Sequence, residues 1–253
     1  MAATPAMIVA VSGAGGLIGR RLVAALAADG LTVRRLPRDL NDAAALAGCA
    51  AVVHLAGAPI ARRWTSAGKR EIRASRVEGT ARLAGLLVRC ADRPQTLLTA
   101  SAVGVYGDRG EEELDESSPV GAGFLAGVCQ DWEAAAAPVR AAGMRVVHLR
   151  FAPVLDSQGG MLARLLTPFR LGLGGRVGDG RQWQSWIHHA DALAALRLAL
   201  TSDALVGPVN VCAPQPVRQH DLARALAGVL RRPCRVPLFR WQVGCLFGEM
   251  GRE

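Results

Sequence analysis

An α/β fold, with a doubly wound parallel sheet covered by helices on both faces, is what this sequence predicts. Three observations predict it. Short β-branched runs alternate with Ala/Leu-rich stretches of helical length. A glycine-rich turn joins the first such run to the first helix. The length, 253 residues with 51% hydrophobic and 20% charged, suits one large core with a small appendage and excludes disorder. Aromatics are only 4%, so that core must be mostly Ala, Leu and Val.

Taken in order, 7–11 reads as the first strand, 17–28 as a helix, 32–36 and 51–55 as the next strands. A long helix over 70–89 precedes a fourth strand at 95–100. A helix over 125–142 leads to the strand 145–149. Beyond Arg150 the regularity breaks. Gly159-Gly160 and 172–180 read as glycine-rich loops, 191–200 as a helix, 208–211 as a short strand and 217–230 as a helix. The apolar N-terminal run lacks a basic flank, so it reads as a strand and not a signal peptide. No apolar run approaches the ~18 residues of a membrane helix. Six scattered cysteines without a C-x-x-C pair argue against a zinc or redox motif and suit reduced thiols in a cytoplasm. No metal site is expected.

The net charge is +9 and the pI about 10.4. That balance invites a nucleic-acid partner. The arginines, however, are spread along the chain in pairs at most, such as Arg62-Arg63, with no aromatic interleaving. A solvated Arg-rich surface fits better, so neither nucleic acid nor membrane is expected as a partner.

The first strand runs into Ser12-Gly13-Ala14-Gly15-Gly16-Leu17-Ile18-Gly19, and a helix follows at once. Gly13 permits a tight turn, Gly16 lets the backbone approach a pyrophosphate, and Gly19 lets helix and strand pack closely. The helix N-terminus offers unpaired N–H groups to phosphate oxygens. The fold expected is therefore a Rossmann-type, dinucleotide-binding sheet. The end of the second strand discriminates between cofactors. It reads Arg34-Arg35-Leu36-Pro37-Arg38-Asp39. Arg38 at the strand end favours NADP, and NADPH over NADH, through the 2′-phosphate. Asp39 serving a ribose, or Arg38 as plain surface, are the competing readings.

With these features in hand, the chain resembles the YfcH-like epimerase-family proteins of the extended short-chain dehydrogenase/reductase superfamily. The markers are the 13–19 loop, Val53-His54-Leu55-Ala56-Gly57, Arg63-Trp64 with Lys69 and Ser75-Arg76, and Ser101-Ala102-Val103-Gly104-Val105-Tyr106-Gly107. Further markers are Trp132-Glu133, the run 168–175, Ser185-Trp186-Ile187-His188 with Asp191, and 207–210. The resemblance implies an oxidoreductase or epimerase-like protein acting on a small molecule such as a nucleotide sugar. It places Gly13, Gly16, Leu17, Ile18 and Gly19 on the cofactor's phosphates, Pro37 and Arg38 at the 2′-phosphate, and Leu55 and Ala56 beside the adenine ribose. Glu71 and Arg76 fall near the nucleotide, and Val154 borders the nicotinamide. A guanidinium fork suits phosphate oxygens. A helix-surface ion pair of Arg76 with Glu71 or Glu78 is the competing role. The resemblance also implies a dinucleotide-binding domain over 1–155 and about 183–212. A small, discontinuous C-terminal substrate-binding domain would use about 156–182 and 213–253, shortened at its end. Dimerisation through the helices at 70–89 and 125–142 is implied too.

The superfamily's acid/base is a Tyr four residues before a Lys, often with a Glu four residues beyond. This chain holds one Tyr, Tyr106, and one Lys, Lys69, which lie 37 positions apart. Anchoring on Glu133 puts Leu125 and Cys129 at the two places; the neighbouring register puts Phe124 and Val128 there. The narrower family departs in the same way. The catalytic candidates left are Ser101, at the end of the fourth strand, and Tyr106; packing roles compete for both. His188 reads as part of a structural corner with Asp191 capping the next helix. Arg176 and Arg181 in the 172–181 loop are candidates to clamp an anionic substrate. Trp183 and Trp186 are expected in a small core. An NADP-binding regulator without catalysis is the alternative function.

Overall fold

The computed structural model describes residues 7–251. The outermost ends of the two expected domains, 1–6 and 252–253, and the Cys245 side chain lie outside the described residues. The elements in chain order are β1 (Ile8–Ser12), α1 (Leu17–Ala28), β2 (Thr32–Arg35), β3 (Ala51–His54), α2 (Ser66–Arg89) and β4 (Thr96–Ala102). There follow α3 (Phe124–Ala134), α4 (Ala137–Ala141), β5 (Arg145–Phe151), β6 (Val154–Leu155), α5 (Gly160–Arg170), β7 (Trp183–Gln184) and β8 (Ile187–His188). The last are α6 (His189–Thr201), β9 (Gly207–Val211), β10 (Val217–Arg218), α7 (Gln219–Leu230) and α8 (Arg240–Phe247).

Six strands form one parallel sheet in the order β2-β1-β3-β4-β5-β9. Its strands are buried on both faces because helices cover both. On one face α1 and α6 pack Leu22, Leu26 and Leu196 on Val9, Val53 and Leu149. On the other, α2 and α4 pack Leu83, Leu87 and Val139 on Ala10, Val52 and Leu97. Each fully buried Leu is worth about 1.5–3 kcal/mol, so the sheet face decides the fold rather than helix propensity. The chain leaves β1 to one side for β2 and to the other for β3. The C-terminal ends of β1 and β3 therefore flank the reversal of strand order where such sheets bind ligands. No helix among the described residues is long and apolar enough to cross a membrane.

Three elements differ from the expectation. The helix expected over 125–142 is two helices, because Pro138 has no N–H to continue the first and sits in the first turn of α4. Val217 and Arg218 start no helix; they pair with Gln184 and Trp183. The segment after Gly159 forms a helix, α5, with Phe169 packed on Ala223 and Ala227 of α7 in a separate cluster.

A row of polar residues crosses the α2 face at one level. Ser12, His54, Thr99 and His148 are neighbours by register on β1, β3, β4 and β5. Ser12 Oγ and His54 Nδ1 share a 2.5 Å hydrogen bond, while His54 Nε2 is buried without a partner. Burial holds the His54 imidazole down at about 4, below its ordinary 6.5. Between those values the unfolded chain binds a proton that the folded protein refuses. Stability should therefore fall as pH drops from 6.5 toward 4, by about 1.4 kcal/mol per pH unit from this residue. Burial lowers His148 too, partly offset by Glu133, and adds to the same slope. Urea unfolding followed across this window should show a steeper pH slope for wild type than for His54→Gln; equal slopes would refute the assignment.

Candidate functional site at the switch point

The turn after β1 is built on glycine. Gly13 has φ +70°, and a Cβ there would lie 2.7 Å from Ala56 N and from the Leu55 carbonyl carbon. The tight turn thus seats directly on the backbone that leaves β3. A Cβ on Gly19 would overlap the Gly13 carbonyl oxygen and come within 2.9 Å of Ala14 Cα, so α1 approaches the loop as only glycine allows. Gly16 caps α1 through the backbone alone: its N–H bonds Gly13 O at 2.9 Å, no side chain caps the helix, and no acid occupies its first turn. The N-terminal amides of α1 are thereby left to an anion. Leu17 and Ile18 begin the helix. Leu17 packs against Gly159-Gly160, where a Cβ would meet its methyls at 2.8 and 3.2 Å. That contact brings Val154, half-buried in β6, to the same end of the sheet. An ion pair that sequence reading missed pins this segment: Arg21 Nε donates to the buried Asp156 at 2.5 Å. The pairing with Arg21 holds the Asp156 carboxyl below the usual carboxylate range.

Arg76 turns back from α2 over the exit of β3. Its guanidinium donates to Ala58 O at 3.1 Å and to Ile72 O at 3.2 Å, and Gly57 is bare beneath it, a Cβ there lying 3.2 Å from Cζ. The neighbouring Ser75 Oγ accepts from Ala58 N at 3.0 Å. Arg76 is 8% exposed and lies over the Trp132 ring. Burial lowers its pKa. Neither Glu71 nor Glu78 pairs with it; Glu71 instead bonds Arg62 at 2.6 Å on the exposed side of α2. The competing helix-surface ion pair of Arg76 with Glu71 or Glu78 is therefore not formed. Its partners are thus two backbone carbonyls and the face of the Trp132 ring, with no carboxylate among them.

Past β2, Leu36 enters the core and Pro37 ends the ladder. Arg34 is committed elsewhere, donating to Ala45 O and Ala47 O at 3.0 and 2.8 Å. Pro37 and Arg38 are exposed, and no ion pair or hydrogen bond holds Arg38 among the described residues.

Beside these groups lies a connected polar network. Ser101 Oγ donates to Glu133 Oε1 at 2.6 Å. Arg150 grips the same carboxylate in a fork, Nε to Oε1 at 2.9 Å and Nη2 to Oε2 at 3.0 Å. Arg150 Nη1 donates to the Tyr106 hydroxyl at 2.9 Å, and that hydroxyl donates to Asn210 Oδ1 at 2.7 Å. Asn210 N donates to Glu116 at 2.6 Å. Burial pushes the Glu133 carboxyl up, but the Arg150 and Ser101 hydrogen bonds and the Arg150 charge outweigh it, so it titrates below the usual range. Glu133 in turn raises the pKa of Arg150. Sequence reading used Glu133 only as an anchor and missed Arg150 and Asn210. The signal available was a charge inside an otherwise apolar strand, which implies a buried partner.

The two positions that anchoring on Glu133 gives hold an apolar side chain and a buried thiol. Leu125 faces Gly104, and Cys129 is buried, its thiol pushed up to about 11 chiefly by burial and then by Glu133. Tyr106 and Lys69 do not meet: Lys69 bonds Glu249 at 2.5 Å and lies over the Phe124 ring. His188, not Asp191, caps α6, accepting from Ala190 N at 3.4 Å. Trp183 is no core residue. It is 43% exposed, stacks under Arg218 at 3.8 Å, and donates to Glu111 at 3.2 Å. Arg218 also bonds both oxygens of Glu111 at 2.6 Å, tying the 107–121 loop to β7 and β10.

Fold and loop together define a Rossmann-type protein built to hold a dinucleotide. The model of the NAD dependent epimerase/dehydratase family matches residues 9–212, and the chain belongs to that family. Epimerase family protein MT2273 of Mycobacterium tuberculosis is 40% identical over 262 residues, covering 97% of this chain and 86% of that protein. The crystal structure of human epimerase family protein SDR39U1 with NADPH aligns at a TM-score of 0.88 and 33% identity, over 96% of this chain and 86% of that one. A nucleoside-diphosphate sugar epimerase from Corynebacterium glutamicum aligns at a TM-score of 0.79 and 35% identity, over 98% of this chain and 57% of that one.

Proposed function

We propose that this protein binds NADP(H) at the β1–β3 switch point and acts as an oxidoreductase or epimerase-like enzyme on a small polar substrate such as a nucleotide sugar. The observation that carries the reading is the fit of the cradle: Gly13 and Gly19 leave no room for a side chain, and the α1 amides have no capping group. Gly13, Gly16, Leu17, Ile18 and Gly19 would hold the pyrophosphate, Arg38 with Pro37 the 2′-phosphate, Leu55, Ala56 and Arg76 the adenosine side, and Val154 the nicotinamide edge. Glu71, already paired with Arg62, stays at the margin. When bound, the nicotinamide supplies or accepts a hydride. The substrate side falls to 156–182 and 213–253. The free thiols suit a reducing compartment, the cytoplasm.

Ser101 is the substrate-contacting group in this reading. Its hydrogen is held by Glu133, which leaves the oxygen's lone pairs to accept from a substrate hydroxyl. Arg150 keeps Glu133 charged and so fixes that direction. Tyr106 braces the network, since its hydroxyl both donates to Asn210 and accepts from Arg150. Protons then travel through Ser101, water or the substrate itself. A second reading, a non-catalytic NADP(H)-binding regulator, is favoured by Leu125 and the inert Cys129 at the superfamily's acid/base places.

Turnover separates the two. Protein with NADP(H) is incubated with sugar nucleotides and carbonyl compounds while absorbance at the nicotinamide band is followed. The enzyme reading expects hydride transfer with at least one compound and a loss of about 10²-fold in Ser101→Ala. Tight cofactor binding without transfer across the panel would leave the regulator.

A further inference from the structure

The nicotinamide side of the cradle is not carried by the six-stranded sheet. β6, which holds Val154, pairs with β8 over two rungs, Val154 with Ile187 and Leu155 with His188. A pairing of two short strands is marginal by itself. The chain just beyond β6 supplies the missing attachment. Gly159 N donates to Asp156 O at 3.3 Å and Gln158 N to Asp156 Oδ1 at 2.8 Å, so 156–159 closes a tight turn. Leu17 and Arg21 stand four residues apart on α1 and share one stripe of that helix. Both meet the turn. Leu17 fills the space over Gly159 and Gly160. Arg21 donates through Nε to Asp156 Oδ2 at 2.5 Å and through Nη2 to Gln158 Oε1 at 3.2 Å. Farther on, Arg164 of α5 donates to Ala61 O at 2.7 Å, in the loop that leaves β3. The segment after β6 is thus fastened to both walls of the switch point.

We infer that Arg21 and Asp156 are positioning residues for the nicotinamide end of the cofactor. The inference rests on the cofactor reading proposed above and adds a role outside the glycine loop. The Asp156 side chain is 1% exposed and that of Arg21 25%. A buried ion pair is weak support for stability; what it supplies is a fixed geometry. Here the geometry is the separation between the α1 amides and Val154. A dinucleotide whose pyrophosphate sits on those amides meets Val154 at its far end only if that separation is held. Preorganising the wall in this way lowers the ordering cost of binding, and does so for the nicotinamide half alone. A clasp that merely kept the chain folded would weaken every ligand of the cradle alike.

The test compares NADPH with 2′-phospho-ADP-ribose, which is the same molecule without its nicotinamide. Both are titrated calorimetrically into the full-length wild type, Asp156→Asn and Arg21→Lys, with thermal unfolding as the check on folding. Asp156→Asn keeps the side chain's size and the acceptor for Gln158 N, but turns an amide donor toward the Arg21 donor, so the clasp opens. Wild type should bind NADPH more tightly than the fragment. In Asp156→Asn the NADPH dissociation constant should rise by roughly tenfold or more, while that of the fragment stays within about twofold. Arg21→Lys keeps a charged donor facing Asp156 and should lose less of the preference for NADPH. Equal affinity of the wild type for the two compounds, an equal loss of both in Asp156→Asn, or an unchanged preference there would overturn this inference alone. Binding of neither compound by the wild type would overturn the cofactor reading and this inference with it.

Discussion

Glu133→Ala is expected to destabilise the protein by about 3–5 kcal/mol, the cost of removing one partner of a buried ion pair. The substitution strands Arg150, whose side chain is only 7% exposed, and takes the acceptor from Ser101. The total stability of such a domain is about 5–15 kcal/mol, so the variant sits near the unfolding threshold. Glu133→Leu/Arg150→Met should recover part of the loss, because no buried charge is then left without a partner. Urea unfolding of the three proteins tests this. A single variant as stable as wild type would mean that the carboxylate holds nothing together. The same comparison separates the network from the superfamily's Tyr-Lys device. In the proposed reading Tyr106 braces this network, and removing Glu133 should cost folding before it costs chemistry.

Gly19→Ala is expected to weaken NADPH binding about 100-fold or more, as loss of two charge-assisted hydrogen bonds would. The new methyl overlaps backbone atoms, the Gly13 carbonyl and Ala14 Cα, so the loop itself must move. Overpacking of that kind also costs about 1–3 kcal/mol of stability. Gly15→Ala is the control for folding, since a Cβ there meets nothing within 4 Å and should leave stability unchanged. Isothermal titration with NADPH and thermal unfolding read both effects. Unchanged affinity in Gly19→Ala would move the pyrophosphate away from this loop.

The parts of the fold legible in the sequence were those set by local pattern. α1 starts and stops at 17 and 28 as its glycines and apolar spacing require, and β3 and β4 fall where their apolar runs lie. Parts that depend on distant partners were not legible. Val217-Arg218 becomes a strand only because Trp183-Gln184 is there to pair with it. Arg76 had two candidate roles, and its ion pair with Glu71 fails because Arg62, from a loop, pairs with Glu71 instead. Trp183, expected in a core, found Arg218 and Glu111 at the surface instead. Among the candidate site residues, the glycines carried their own reason, because a backbone approach of this kind admits no side chain. The Ser101–Glu133–Arg150–Tyr106 network did not, because its members come from β4, α3, β5 and the turn after β4, and only folding brings them to one place.

NADP binding through the end of β2 is the central claim, and equilibrium titration of NADPH and NADH into wild type and Arg38→Ala tests it most directly. Arg38 has no competing partner among the described residues, so its removal should act on the ligand and not on the fold. Wild type should prefer NADPH. In Arg38→Ala the NADPH dissociation constant should rise about 10- to 100-fold, the worth of one charge-assisted contact, while that for NADH stays within about twofold. Equal affinity for the two cofactors in wild type, or an equal loss of both in the variant, would contradict the account.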